Sequence, residues 1–178
     1  MFTKRLSKSN RIKITIESPL NEIMIGLLLG DGQIQKRSFT DKRSKKKYSS
    51  VQFATLSLPC FNYYKDLFYN SNYLKIVPSN IQNLLSPRGL AYWIMDDGSL
   101  QNKGLHLNTY GFTPQDIFLL KTTLENMFGE NTLKCTIHKH QKGERIYIWE
   151  ESMELVRNNI SQFMHSNMLY KLNSDTKI

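Results

Sequence analysis

Asp31 and Asp97 close two similar segments, Met24-Ile25-Gly26-Leu27-Leu28-Leu29-Gly30-Asp31-Gly32 and Leu90-Ala91-Tyr92-Trp93-Ile94-Met95-Asp96-Asp97-Gly98. A carboxylate is a hard oxygen ligand, suited to a Mg²⁺ ion that keeps part of its shell for water and phosphate oxygens. Two such groups brought together can clamp divalent ions beside a scissile phosphate, activating water and stabilising the leaving oxygen. That arrangement is what metal-dependent phosphodiester hydrolysis needs. One Asp-Gly after an apolar run would say little, since that dipeptide commonly ends a helix in a turn. Here it recurs 66 residues on, again after an apolar run and before a polar, strand-like one. The repetition points to two related halves that bring their acids together.

The elements that must position these acids read most clearly in the second half. Gly89 to Asp97 is an apolar helix, and a short strand follows over Ser99–Asn102. Leu105, Leu107 and Thr109 alternate with His106, Asn108 and Tyr110, the period of a half-buried strand. Thr113-Pro114-Gln115-Asp116 starts a helix, with Thr113 as N-cap and Pro114 at the first helical position. Ile117, Leu120, Leu124 and Met127 form its apolar stripe, and Gly129 ends it. Leu133, Cys135 and Ile137 then alternate with Lys134, Thr136 and His138. A turn at Gln141–Glu144 leads to a strand from Arg145 to Trp149, and a last helix from Ser152 points Met153, Val156, Ile160 and Phe163 inward. The order is α-β-β-α-β-β-α: four antiparallel strands with helices on one face and the other face open.

The first half begins alike and ends short. Ser18 reads as the N-cap of a helix from Pro19 to Gly30, with Pro19 at its first position. Gly26 and Gly30, four apart on one face, permit close approach of a partner helix; Tyr92 and Asp96 hold the matching positions in the second half. Strands over Gln33–Phe39 and Tyr48–Ser57, joined by the basic loop Thr40–Lys47, precede a helix from Pro59 to about Asn70. Only Ser71 to Arg88 then remain, with Ile81–Leu85 helical, which leaves no room for a second full hairpin. The reading is residues 1–88 as an abbreviated first half, carrying a basic arm over 1–17, and residues 89–178 as the second half.

Charge narrows the partner. Residues 1–47 carry twelve Lys or Arg against four acids, eight of the net +9 of the whole chain. A surface so polarised favours a polyanion. A membrane is the weaker choice: the apolar run from Ile23 to Gly30 is far short of the ~20 residues that cross a bilayer. Met1–Lys8 is basic but lacks the apolar stretch of a secretory signal. Cys60 and Cys135 have no metal-ligand spacing and read as free thiols in a reducing compartment.

The paired segments resemble the two motifs of LAGLIDADG homing endonucleases in their monomeric, two-motif form. Leu90–Gly98 is similar to the second motif of the organellar-intron branch. Lys75-Ile76-Val77-Pro78-Ser79-Asn80-Ile81, Thr109 with Phe112-Thr113, and Ser166–Leu172 extend the likeness over roughly residues 19–172. The resemblance implies an α+β fold of two pseudo-symmetric αββαββα-type units packed through their motif helices, with the sheets forming a saddle over duplex DNA. It implies that Asp31 and Asp97 bind divalent metal, Mg²⁺ with Mn²⁺ as substitute, aided by the backbone carbonyls of Gly30 and Asp96. The implied reaction is cleavage of both strands of a long DNA site across the minor groove, by a monomer encoded in an organellar intron of a mitochondrion or chloroplast. An RNA maturase acting on its host intron and a non-catalytic DNA-binding remnant are the alternatives, the latter because of the short first half. Leu29 and Met95 stand where the motif has its first acid, and Asp96 where a small residue is usual.

Strand residues facing away from the helices are then the candidates for DNA contact. They are Gln33, Gln35 and Arg37 in the first half, and Lys134, Thr136, His138, Lys142, Arg145 and Tyr147 in the second. Gln and Arg suit bidentate reading of adenine and guanine. Lys46 and Lys47 after the basic loop, and Lys103, are candidates to approach the scissile phosphates, Lys46 and Lys103 as catalytic groups.

Overall fold

The structure, a computed structural model, describes residues 6–33 and 55–172. Its frame is a pair of crossed helices, α2 (Leu20–Leu29) and α5 (Pro87–Asp97); a short α1 (Lys8–Ile12) precedes them, and α3 (Phe61–Phe68) and α4 (Ile81–Leu84) lie between them in sequence. Small residues let the two backbones meet. A Cβ at Gly26 would lie 2.1 Å from the Gly89 carbonyl oxygen, and one at Gly89 would lie 3.1 Å from the Glu22 carbonyl oxygen. The close approach is therefore carried by Gly26 against Gly89, which lies one turn before Tyr92, the residue matching Gly26 in the second motif.

The starts of both helices are tied by a carboxylate. The expected Ser18 cap is not made: α2 begins after Pro19 with no side-chain cap, and the Ser18 hydroxyl donates instead to Glu22. Ser86 does cap α5, accepting from the Gly89 N–H at 3.1 Å, while its own hydroxyl donates to Glu22 at 2.6 Å. Arg88 pairs with Glu22 at 3.8 Å. Glu22 thus joins α2 to the first turn of α5, and α5 starts two residues earlier than its apolar run because Pro87 at the first position needs no N–H partner.

After α5 come β1 (Gly98–Gln101), β2 (Gly104–Asn108), α6 (Pro114–Glu125), β3 (Cys135–His140), β4 (Gly143–Ile148) and α7 (Met153–Ile160). The expected α-β-β-α-β-β-α unit is present. Its sheet is antiparallel in the order β1-β2-β4-β3, with Leu107 opposite Ile146 and Ile146 opposite Ile137. Thr113 forms a full capping box with Asp116 at the start of α6. Asn102, at φ 55°, turns β1 into β2, and Gly143, at φ 135°, follows the turn that joins β3 to β4.

The inner face of the sheet presents Leu105, Leu107, Cys135, Ile146 and Ile148, all buried with Ile117, Leu120 and Leu124 of α6 and Met153, Val156 and Ile160 of α7. Trp93 of α5 is fully buried, as are Ile25, Leu28 and Leu29 of α2 and Phe68 of α3, so a continuous apolar core joins the motif helices to the sheet. Cys135 is buried and Cys60 half-buried, both as free thiols. No helix among the described residues is long and apolar enough to cross a membrane.

Between Ser71 and Arg88 the described chain is poor in strands. That stretch holds one isolated antiparallel bridge, Tyr69 with Lys75, and α4, but no strand. The strands expected over 33–39 and 48–57 lie almost wholly outside the described residues.

Candidate active site and nucleic-acid face

The crossing brings the two acids to one end of the helix pair. Asp97 is the last residue of α5 and half-buried; Asp31 follows α2 and is exposed. The neighbouring chain ends touch: the Asp31 N–H donates to Asp96 Oδ2 at 2.6 Å. From β2, Asn108 Nδ2 donates to Asp97 Oδ1 at 2.9 Å and to the Asp97 carbonyl at 3.1 Å. The site is thus built from two helix ends and the strand pairing that places Asn108 beside one of them.

Two lysines that the motif spacing did not single out complete it. Lys75 Nζ donates to the carbonyls of Gly30 and Gly32, under the ring of Phe112. Lys171 Nζ donates to the carbonyls of Met95, at 2.7 Å, and Ile94, at 3.1 Å. Lys75 thus sits on carbonyls just beyond the end of α2, and Lys171 on carbonyls of the last turn of α5, where Ile94 also accepts from the Gly98 N–H. Both residues lie in stretches that carried the family likeness, 75–81 and 166–172, and that was the available signal. No local spacing connects either one to an acid, because only the tertiary fold brings them there.

Burial and charge oppose each other in this centre. Desolvation pulls the Lys75 pKa below that of a free lysine, against the attraction of Asp31, Asp96 and Asp97. Lys171 is lowered the same way, against Asp96 and Asp97. The Asp97 carboxyl is raised, first by burial and then by the nearby charges of Asp31 and Asp96, although Asn108 and Lys171 favour its ionised form. Carboxylates crowded so are relieved by a cation. Among the described residues no three His, Cys, Asp or Glu side chains form a ready metal cage. The carboxylates of Asp31 and Asp97, close enough to feel each other's charge, are hard oxygens, while the Gly30 carbonyl expected beside them is taken by Lys75 Nζ. They fit a Mg²⁺ ion that completes its shell with water and phosphate.

The other candidates fall in different places. Lys103 sits in the turn between β1 and β2, a strand's length or roughly 13 Å beyond Asp97 at the usual rise per residue. There its ammonium pairs with Glu150 at 3.0 Å, so the described contacts bring it to Glu150 and not to an acid of the centre. Gln33 is exposed just beyond the first motif. Gln35, Arg37, Lys46 and Lys47 lie outside the described residues. Lys134, Thr136 and His138 of the third strand region, and Arg145 and Tyr147 of β4, share the face of the sheet opposite the helices, as their register requires. Lys134 is engaged with Glu151 at 2.9 Å, and Lys142 is exposed at the turn after β3.

That face is not simply solvated. His106 of β2, on the face expected to meet solvent, is only 3% exposed. Tyr147, its cross-strand partner, leans over it at 4.8 Å between ring centres, and His138 stacks on Tyr147 at 5.0 Å. Gly104 makes room, since a Cβ there would lie 2.3 Å from the Tyr147 hydroxyl. His106 Nε2 and His138 Nδ1 share a hydrogen bond of 3.2 Å, His138 Nε2 and Thr136 Oγ1 one of 3.0 Å, and Trp149 Nε1 donates to Thr136 at 3.1 Å. Burial holds the His106 pKa down to about 4, with Arg145, His138 and His140 adding to the effect. The open face is thus an ordered polar and aromatic surface flanked by Arg145 and Lys142.

Comparison with known proteins decides the family. The model for the LAGLIDADG DNA endonuclease family matches residues 35–156. The chain belongs to that family. It is similar to the intron-encoded endonuclease ai4 of Dictyostelium discoideum, 34% identical over 129 residues, 71% of this chain and 79% of that protein. The cytochrome b mRNA maturase bI2 of Saccharomyces cerevisiae is also 34% identical, over 131 residues that make up 68% of this chain. The matched region spans only 30% of that maturase. In three dimensions the chain is similar to the homing endonuclease I-WcaI, a structure bound to its DNA recognition sequence. The TM-score is 0.76 at 25% identity, covering 96% of this chain and 94% of that one. The α+β fold with an open antiparallel sheet is the fold of this family; Asp97 lies within the residues its model matches, and Asp31 just before them.

Proposed function

We propose that this chain is a site-specific DNA endonuclease that hydrolyses both strands of a long recognition site across the minor groove, with Mg²⁺ as its metal and Mn²⁺ as an effective substitute. The observation that carries this reading is the bond from the Asp31 N–H to Asp96 at the abutting ends of α2 and α5, which brings the Asp31 and Asp97 carboxylates within reach of each other's charge. Asp31 and Asp97 would hold the ion, with the Asp96 carbonyl as a further donor; the Gly30 carbonyl would be shared with Lys75 Nζ. When bound, Mg²⁺ supplies charge for the scissile phosphate and lowers the pKa of a bound water. Asn108 orients the Asp97 carboxylate. Lys75 and Lys171, desolvated and beside the acids, stabilise charge that develops on phosphate oxygens. The open face of the sheet, with Arg145, Tyr147, Thr136 and His138, meets the bases in the major groove, and the basic residues of 1–47 bind the backbone.

Both motifs lie in one chain, which supports a monomer acting as a pseudo-dimer. The names of the relatives, intron-encoded endonucleases and a cytochrome b mRNA maturase, support an organellar intron as the coding source. The maturase likeness also favours a second reading, in which the same basic surface binds intron RNA.

The test is cleavage of a randomised duplex library at low salt, with Mg²⁺ and with Ca²⁺ in its place. Cut products that appear with Mg²⁺ and are lost in Asp31→Asn and Asp97→Asn, with DNA binding kept, are the expected result. Salt-sensitive binding of structured RNA with no cutting of any duplex would overturn it in favour of the maturase.

A further inference from the structure

The two halves of the centre hold their acids by different devices. The residue before Asp31 is Gly30, and the residue before Asp97 is Asp96. Asp96 reaches across the crossing, and its Oδ2 accepts the main-chain N–H of Asp31 at 2.6 Å. Gly30 has no side chain with which to return the contact, and Asp97 is held within its own half by Asn108. The fit is close: a Cβ at Gly30 would lie 2.3 Å from Asp96 Oδ2 and 3.0 Å from its Cγ. Gly30 and Asp96 are therefore complementary, one small so that the other can reach. A third carboxylate beside two others is a repulsive choice on charge alone. A bond from an N–H to a carboxylate, roughly twice as strong as a neutral one, offsets that cost.

We propose that Asp96 is a positioning residue, which fixes the main chain of Asp31 and through it the Asp31 carboxylate. The half of the centre built on Asp31 then depends on a bond from the opposite helix that the Asp97 half does not need. This rests on the endonuclease reading above and adds a strand asymmetry to it. Loss of Asp96 impairs the cut that relies on Asp31 more than the cut that relies on Asp97.

The experiment compares wild type, Asp96→Asn and Asp96→Ala on a duplex of the recognition site labelled at both ends, following each strand in single turnovers. It adds the ¹H–¹⁵N resonance of the Asp31 amide in each protein without metal. Asn keeps an acceptor oxygen and Ala does not. The expected result is that Ala slows one strand by about tenfold or more beyond the other, so that nicked duplex accumulates. Asn restores both strands, and the Asp31 amide proton moves upfield in the Ala variant alone. Equal slowing of both strands by Ala, or an amide that does not move, would overturn the proposal. Damage by Asn equal to that by Ala would also overturn it, because the carboxylate would then act as a metal ligand. A wild type that cuts no duplex refutes the endonuclease reading instead, and the amide resonance then decides the Asp96 bond by itself.

Discussion

Asn108 holds Asp97 twice, at its side chain and at its own main-chain carbonyl, through a single amide nitrogen. The acid that ends α5 is thereby fixed to the second strand of the sheet that the proposed function sets against DNA. The position of that carboxylate and the position of the sheet are set by the same group.

Asn108→Ala is therefore expected to lower the cleavage rate by about 10–100-fold, the usual effect of removing a group that orients a metal-binding side chain. DNA affinity should change little. Single-turnover cleavage beside equilibrium binding separates the two, and an unchanged rate would mean that Asp97 needs no such support.

Lys75→Met and Lys171→Met keep most of each stem and remove the ammonium. Each is expected to reduce cleavage by roughly 10²–10³-fold, as removal of a group that stabilises transition-state charge does. Recognition of the site should survive in both. Lys75→Met should also lower the melting temperature, because the carbonyls of Gly30 and Gly32 lose their donor.

Gly26→Ala places a methyl group 2.1 Å from the Gly89 carbonyl oxygen, which is backbone and cannot swing away. The helices must separate, at a cost of roughly 1–3 kcal/mol or more. Urea unfolding measures it. A variant as stable as wild type would refute the close crossing.

Acid should weaken the fold through His106. Its pKa is held at about 4 in the folded chain against an ordinary 6.5, by burial first and then by Arg145, His138 and His140. Between those values the unfolded chain takes up a proton that the folded chain refuses, so the stability present above 6.5 falls away as pH drops toward 4. Glu22, held below its ordinary value by the hydroxyls of Ser18 and Ser86, adds a further loss at lower pH. Unfolding across this window, in wild type and His106→Gln, is the measurement. The variant should lose the upper part of the slope.

Local sequence announced much of this architecture. The apolar run before Asp97, the Thr113 cap and the alternation along β2 and β3 depend on neighbours a few residues away, and they folded as their spacing implied. Ser18 shows where that reasoning stops. A serine before proline has the form of a cap, yet its hydroxyl donates to Glu22, a carboxylate it shares with Ser86 of the other helix. His106 fell on the outer face by period, yet it is buried, because Gly104 admits Tyr147 over it. Lys75 and Lys171 carried no local mark at all. Their partners lie 45 and 76 positions away in the chain. The site residues expected at 35, 37, 46 and 47 lie outside the described residues.

The contact of Gly26 with Gly89 has one more consequence. Asp31 and Asp97 ride on the two helices that touch there, so the depth of the crossing sets the separation of the two acids. In an endonuclease with one acid serving each cut, that separation is a ruler laid across the groove. It fixes how far apart the two breaks fall, and so the length of the single-stranded ends. On the proposed function, base-contacting residues would decide where on a genome the enzyme stops, and the approach of Gly26 to Gly89 would decide the shape of the break it leaves.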